Sequence, residues 1–403
     1  MNKPVFELLG KADESNPAAI SAHQIEQWEN QKILTYLGTT NDVRSHIAQA
    51  SCIVLPSYRE GVPRVLLEAM AMAKPIITTN TPGCKELVFN PKPQGDILIG
   101  ENGILCEPKD ASSLENACKY FLSLTDTQRA NMGNAGRQYA KTFDLAHIIG
   151  IYKSKLTGHC GAVSFVSNSS FGMVNFRLEV LKSLQNLGFT IHIIAPQDEF
   201  SDKLINEGFF FHPITLDPKG LNPAKDLATF FQIKKILASI KPTMSFHYTI
   251  KPVIYASIAC ASLKIPTINI ITGLGYVFTD STSKNLKETL KKKILKIWVS
   301  KMYQTALKHA QEVWFLNPDD QTEFINRNII TPSKAFLLKS EGVDLEHFSP
   351  DFSPDFLPRS VVAPSEKTIF LLVARMLWDK GVGEFVEVAR KLASPHLPPN
   401  APR

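Results

Sequence analysis

The sequence has little cysteine and no pattern in it: Cys52, Cys84, Cys106, Cys118, Cys160 and Cys260 form no CxxC pair and no Cys/His set with ligand spacing. That excludes a zinc ribbon and a disulfide framework and fits a reducing cytoplasm. No Asp-x-Asp pair occurs either. Apolar runs stay short of the ~18 residues that a membrane-spanning helix needs. The opening MNKPVFELLG lacks the charged start and apolar core of a secretory signal, so neither export nor a bilayer span is expected. Acids are scarce in one place. Between Lys284 and Lys308 eight lysines face a single acid, Glu288, in a chain whose net charge is +6. Within that segment Leu286, Leu290, Ile294 and Ile297 recur at helical spacing, and Trp298, Met302 and Tyr303 widen the face. Such a helix either lies on an anionic membrane surface or packs its stripe on its own domain. No recognition module for nucleic acid accompanies the charge, and no nucleic-acid partner is expected.

With 44% hydrophobic and 20% charged residues, a chain of 403 residues buries sizeable cores, most naturally in two domains. Apolar runs alternate with helical stretches almost throughout, which predicts the α/β class with parallel sheets covered on both faces. VFELLG, ILTYLG, CIVLP, PIITT and GILCEP place one sheet within residues 1–157. VSFVS, TIHIIAP, MSFHY, TINIIT, EVWFLN and AFLLKS place a second within residues 158–345. A proline-rich connection, 346–365, leads to one strand and one helix, 366–395, and a tail, 396–403. One strand and one helix cannot bury a core of their own, so this segment is expected to complete the first sheet.

The stretch PSYREGVPRVLLEAMAMAKPII holds two acids, Glu60 and Glu68, around a Gly-Val-Pro turn. The apolar run before it predicts a strand, and Pro63 with Leu66, Leu67 and Met70 predicts a helix after it. Glu60 then sits on a strand-to-helix loop beside open helical amides, and Glu68 lies within the helix. At ~1.5 Å rise per residue the two carboxylates stand roughly 12 Å apart, enough to hold both ends of an extended polar ligand. On spacing alone, two acids on a solvated helix fit as well.

The same stretch, read on through SYREGVPRVLLEAMAMAKPIITTNTPGCKELV and NGILCEPKD, resembles the sugar-nucleotide half of the retaining glycosyltransferases of family four. FVSNSSFGMVNFRLEVLKSLQ, HYTIKPVIYASIA, NIITGLGYVFT and SEGVDLEHFSP resemble the acceptor half, and LLVARMLWDKGVGEFVEVARKL resembles the start of the sugar-nucleotide half. The order of these pieces departs from the family: the acceptor half normally comes first, so the chain resembles a circularly permuted member. The resemblance implies a GT-B fold, two Rossmann-like doubly wound domains facing a cleft. It implies that Glu68 holds the ribose of a UDP-sugar, and that Glu60 holds the transferred sugar, with Gly61, Val62 and Pro63 beside it and Gly38 and Thr39 on the donor side. Arg375 and Lys380 would neutralise the diphosphate leaving group, making a metal or other cofactor unnecessary. Gly172, Lys251, His247, Gly273 and Gly275 would line the acceptor or phosphate side, with an ordinary loop glycine, a satisfied loop histidine or a surface cation in an ion pair as the competing readings. TIKP, GLG, ARxLWxKGV and LPSYxEG are similar to bacterial enzymes that add N-acetylgalactosamine to a sugar on undecaprenyl diphosphate. The implied partners are a UDP-sugar, a lipid-linked saccharide and, through residues 284–308, the inner face of the cytoplasmic membrane. Rival readings are a sugar-nucleotide epimerase or phosphorylase on the same fold, or a non-catalytic sugar-nucleotide binder.

Overall fold

The computed structural model describes residues 3–12, 16, 18–217, 222–274, 278, 286–352 and 367–393, with residues 286–292 described by backbone alone. The first strands are β1 (Val5–Leu9), β2 (Thr35–Tyr36), β3 (Cys52–Leu55), β4 (Ile76–Thr79), β5 (Lys92–Gln94), β6 (Ile97–Ile99) and β7 (Gly103–Cys106). They are followed by β8 (Ala162–Val166), β9 (Thr190–Ala195), β10 (Phe210–Pro213), β11 (Met244–Tyr248), β12 (Thr267–Ile271), β13 (Glu312–Phe315), β14 (Ala335–Leu337) and finally β15 (Ile369–Val373). The chain divides into two compact units, Met1–Leu145 with Gly342–Arg403, and Ala146–Glu341. Each holds one sheet, so the α/β class and the two sheets expected from the apolar runs are both present.

In the first unit the strand order is β2-β1-β15-β3-β4-β7-β6-β5. The six strands from β2 to β7 are parallel, and β5–β6 form an antiparallel hairpin on the edge. β15 runs beside β1 from Val5↔Ile369 to Leu9↔Val373 and beside β3 at Phe370↔Cys52, placing Phe370, Leu371 and Leu372 at full burial. Counted from β15 as first strand, the parallel run has the 3-2-1-4-5-6 order of a dinucleotide-binding sheet. Helix Val382–Ala393 packs Phe385 and Val388 on the face that holds Phe370 and Leu372. Helix Arg64–Ala71 packs Leu66, Leu67 and Met70 on the opposite face, with Leu371. The helices after β15 and β3 therefore leave the sheet on opposite sides, which opens a crevice at the carboxyl ends of those two neighbouring strands.

The second unit is a parallel sheet of order β10-β9-β8-β11-β12-β13-β14. Its core is aromatic at the centre, with Phe165, Phe246 and Trp314 buried. Helix Leu145–Lys155, expected with the first sheet, joins this unit from Ala146 onward. The reason is Tyr152, which is fully buried, shares a 2.8 Å hydroxyl contact with Tyr248 and stacks edge-on against Trp314. Residues 342–352, expected in the acceptor domain and its connection, belong to the first unit instead: the Arg137 guanidinium donates to the carbonyls of Leu345 and Phe348, and Phe348 is buried.

The lysine-rich segment forms helix Leu286–Leu307, and Lys284 lies outside the described residues. Its Val299, Tyr303, Ala306 and Leu307 pack into the core. Ile294, Ile297 and Trp298 do not: they are 60%, 62% and 55% exposed, on a stripe shared with exposed Lys293 and Lys301. The helix thus has a packed face and a separate apolar face left open.

Candidate active site

The crevice of the first unit is lined by the loops that follow β15 and β3. After β3, Ser57 is fully buried and donates its hydroxyl to Glu60 Oε1 at 2.8 Å. After β15, Lys380 Nζ binds the same oxygen, so the loops meet in an ion pair whose two side chains are only 16% and 15% exposed. Main-chain bonds fix both loops: Tyr58 N–H donates to Asp379 O at 2.9 Å and Glu60 N–H to Pro82 O at 3.1 Å. Two glycines permit this closeness. Gly381 has φ +73° and a Cβ there would stand 2.1 Å from Pro56 O; Gly83 has φ +86° and a Cβ would stand 2.4 Å from Glu60 O. The hydroxyls of Thr79 and Thr81 both donate to Ser57 O, and Tyr58 Oη donates to buried Glu384 at 2.8 Å.

The other sequence candidates of this unit fall around the same edge. Arg375 follows the end of β15 with one residue between and is exposed. Pro63 stands at the N-cap of helix Arg64–Ala71, just ahead of the first turn, and no side chain caps that end. Gly61 and Val62 are half-buried on the loop leading to it. Glu68 lies on the helix, paired with Arg64 at 3.0 Å; burial pushes its carboxyl above the usual carboxylate range and the Arg64 guanidinium opposes that. Gly38 has φ +71° and its carbonyl accepts from Gly10 N–H at the carboxyl end of β1, with Thr39 exposed beside it. Ser57, Tyr58, Glu384 and Lys109, whose ammonium stands 5.1 Å from the Tyr58 ring, were not legible as site residues. Only Ser57 carried a signal, a serine three residues before the loop acid.

In the second unit the structure corrects two expectations. His247 is fully buried within β11. Its Nδ1–H donates to Asn269 Oδ1 at 2.9 Å and its Nε2 accepts from Ser245 Oγ at 2.8 Å, which fixes a neutral imidazole inside the core and removes it from any ligand-facing role. Gly172 lies within the first turn of helix Ser170–Gln185 rather than before it. The amides there are taken: Ser170 and Phe171 N–H donate to Asp198 Oδ2 and Gly172 N–H to Ser169 Oγ, so no bare backbone awaits a phosphate. The Gly172 carbonyl instead accepts from Arg177, which is buried against the Tyr248 ring and paired with Glu341. Lys251 pairs with Asp226 at 2.7 Å, Gly273 has φ +145°, and Gly275 lies outside the described residues.

Burial holds the His247 imidazole down to about 3, from an ordinary 6.5. A depressed folded pKa means that the unfolded chain binds the extra proton first, so stability is complete above pH 6.5 and is lost as pH falls toward 3. Between pH 7 and pH 5 this group alone is expected to cost the second unit about 2 kcal/mol, and His247→Gln is expected to flatten that dependence in denaturant titrations.

The first unit has the sheet order and charged crevice loops of a nucleotide-binding α/β protein. Residues 3–139 match the model of the glycosyl transferases group 1 family, and residues 163–317 that of the glycosyl transferase 4-like family, so each half of the chain carries a glycosyltransferase-type domain. It is 26% identical over 234 residues to the N,N'-diacetylbacillosaminyl-diphospho-undecaprenol alpha-1,3-N-acetylgalactosaminyltransferase of Campylobacter jejuni, covering 57% of this chain and 60% of that one. It is 35% identical over 104 residues to an uncharacterized glycosyltransferase of Haemophilus influenzae, covering 24% and 27%. The chain therefore spans less than two thirds of the length of either relative. Against the crystal structure of MurG from Acinetobacter baumannii the TM-score is 0.30 at 15% identity over 44% of each chain, too slight a likeness to carry an argument.

Proposed function

We propose that this chain is a retaining glycosyltransferase that moves a hexose or N-acetylhexosamine from a UDP-sugar to an undecaprenyl-diphosphate-linked saccharide, with N-acetylgalactosamine in α linkage as the first candidate. The observation that carries the reading is the Glu60–Lys380 pair at the crevice of a group 1 glycosyltransferase domain. A carboxylate that can accept from sugar hydroxyls and an ammonium that can donate to a diphosphate stand together there, on loops braced from both sides. The name of the Campylobacter jejuni relative supports the acceptor class and the donor sugar.

In this reading Glu68 accepts hydrogen bonds from the ribose and Glu60 from the transferred sugar. Lys380 and Arg375 stabilise the charge that grows on the diphosphate as the glycosidic bond breaks, an electrostatic contribution that needs no divalent cation. The acceptor hydroxyl attacks from the face the diphosphate leaves, and the departing diphosphate oxygen takes its proton. No carboxylate of the protein forms a covalent bond. Glu68→Ala is expected to weaken the binding of UDP and of UDP-sugar alike by at least about tenfold, because the ribose is common to both and a hydrogen bond to a charged group contributes ~1.5–3 kcal/mol. Isothermal titration with both ligands checks this, and unchanged affinities would remove Glu68 from the donor site.

The open stripe of Ile294, Ile297 and Trp298 with Lys293 and Lys301 supports a membrane contact that brings the lipid-linked acceptor within reach. Vesicles containing anionic lipid should bind the protein, and binding should weaken with salt because exposed charges are screened beyond ~8 Å at physiological ionic strength. Ile297→Asp with Trp298→Asp should abolish sedimentation with such vesicles. Equal binding to neutral vesicles at high salt would contradict the contact.

A further inference from the structure

Lys380 and Glu60 each have a task toward the donor in the function proposed above, yet here they satisfy one another. Lys380 Nζ lies on Glu60 Oε1, the oxygen that also accepts from the buried Ser57 hydroxyl. Ser57 is itself pinned, since its carbonyl accepts from Thr79 and Thr81. The carboxylate is therefore anchored from the β3 side, while Lys380 reaches it on a long stem from the short turn Trp378–Lys380. Of the two partners, the lysine is the one free to change direction. A diphosphate offers it more negative charge than one carboxylate does.

We propose that the Lys380–Glu60 ion pair is the resting state of the site and that a diphosphate-bearing ligand opens it by taking the lysine as its own partner. Resting on the donor-site reading, this makes ligand binding an exchange of partners. The diphosphate gains an ammonium, and Glu60 is released, still held by Ser57, to accept from sugar hydroxyls. Glu60 Oε1 thus sheds its ammonium partner only once a diphosphate has arrived, and a free sugar finds that oxygen still paired with Lys380. The pair also sets a cost on diphosphate binding, because one ion pair is broken for each one formed.

The test is a double-mutant cycle read by titration with UDP, inorganic diphosphate and uridine. Glu60→Gln keeps an oxygen for Ser57 and removes only the charge that holds Lys380. It should tighten UDP and inorganic diphosphate by about 3- to 10-fold, the range of a partly buried ion pair, and leave uridine unchanged. In a Lys380→Met background the same substitution should give no gain. Thermal unfolding of each variant shows whether it folds, and Glu60→Gln is close to isosteric. A gain that persists in the Lys380→Met background would mean simple repulsion between Glu60 and the ligand, and would overturn the exchange. So would the absence of any gain in the wild-type background. A wild-type protein that binds neither UDP nor diphosphate overturns the donor-site reading and the exchange with it, whereas UDP binding without a coupled effect overturns the exchange alone.

Discussion

Lys380→Ala is expected to lower the rate of sugar transfer by about 10²-fold or more, the usual effect of removing a preorganised group that meets charge developing in a transition state. UDP affinity should change far less. In the resting site Lys380 already has a carboxylate partner, so its removal costs the ligand an ammonium but also spares it the opening of an ion pair. The loss therefore falls on kcat, the signature of an interaction whose net gain comes mainly in the transition state. Arg375→Ala should act in the same direction, and Glu60→Ala should lower transfer because its partner is the departing sugar. Wild-type rates in all three variants would return these residues to ordinary surface ion pairing.

A chain shortened to end at Phe352 should lose its first unit altogether. β15 lies between β1 and β3, and the shortened chain lacks Phe370, Leu371, Leu372, Phe385 and Val388, all fully buried. Each such side chain contributes about 1.5–3 kcal/mol on burial, so these five alone match the whole stability of a typical domain, about 5–15 kcal/mol. Hydrogen exchange should show β1, β3 and β4 unprotected while β8, β11 and β12 keep their protection, because among the described residues the second unit draws no strand from the removed segment. We read the chain order as a circular permutation of a doubly wound unit. Joining residues 367–393 through a flexible linker ahead of residue 3 should then restore protection, and failure to restore it would speak against that reading.

The strands that could be read from the sequence are those buried on both faces. CIVLP is a continuous apolar run and TINIIT holds Ile268, Ile270 and Ile271, because β3 and β12 have no solvent side. β5, fully exposed, and β10, exposed at both ends, have no such run; their place is set by main-chain pairing with β6 and β9, which leaves no mark on composition. Glu60, Glu68, Arg375 and Lys380 were legible as candidates because acids and cations at strand-to-loop junctions are chemically conspicuous. That Lys380 meets Glu60, 320 residues away in sequence, depends on β15 entering the sheet next to β3. His247 misled because MSFHY reads as a strand ending at a cleft. Asn269 and Ser257, the partners that keep its ring buried, lie on other elements, and sequence proximity does not reveal them.

The central claim is sugar transfer to an acceptor, and product mass tests it most directly. Wild-type protein incubated with a panel of UDP-sugars and a short-chain polyprenyl-diphosphate saccharide should yield the acceptor heavier by one hexose or N-acetylhexosamine residue, with release of UDP, and only when donor and acceptor are both present. Conversion of the donor to an epimer or to free sugar without acceptor, or no product from any donor in the panel, would contradict it.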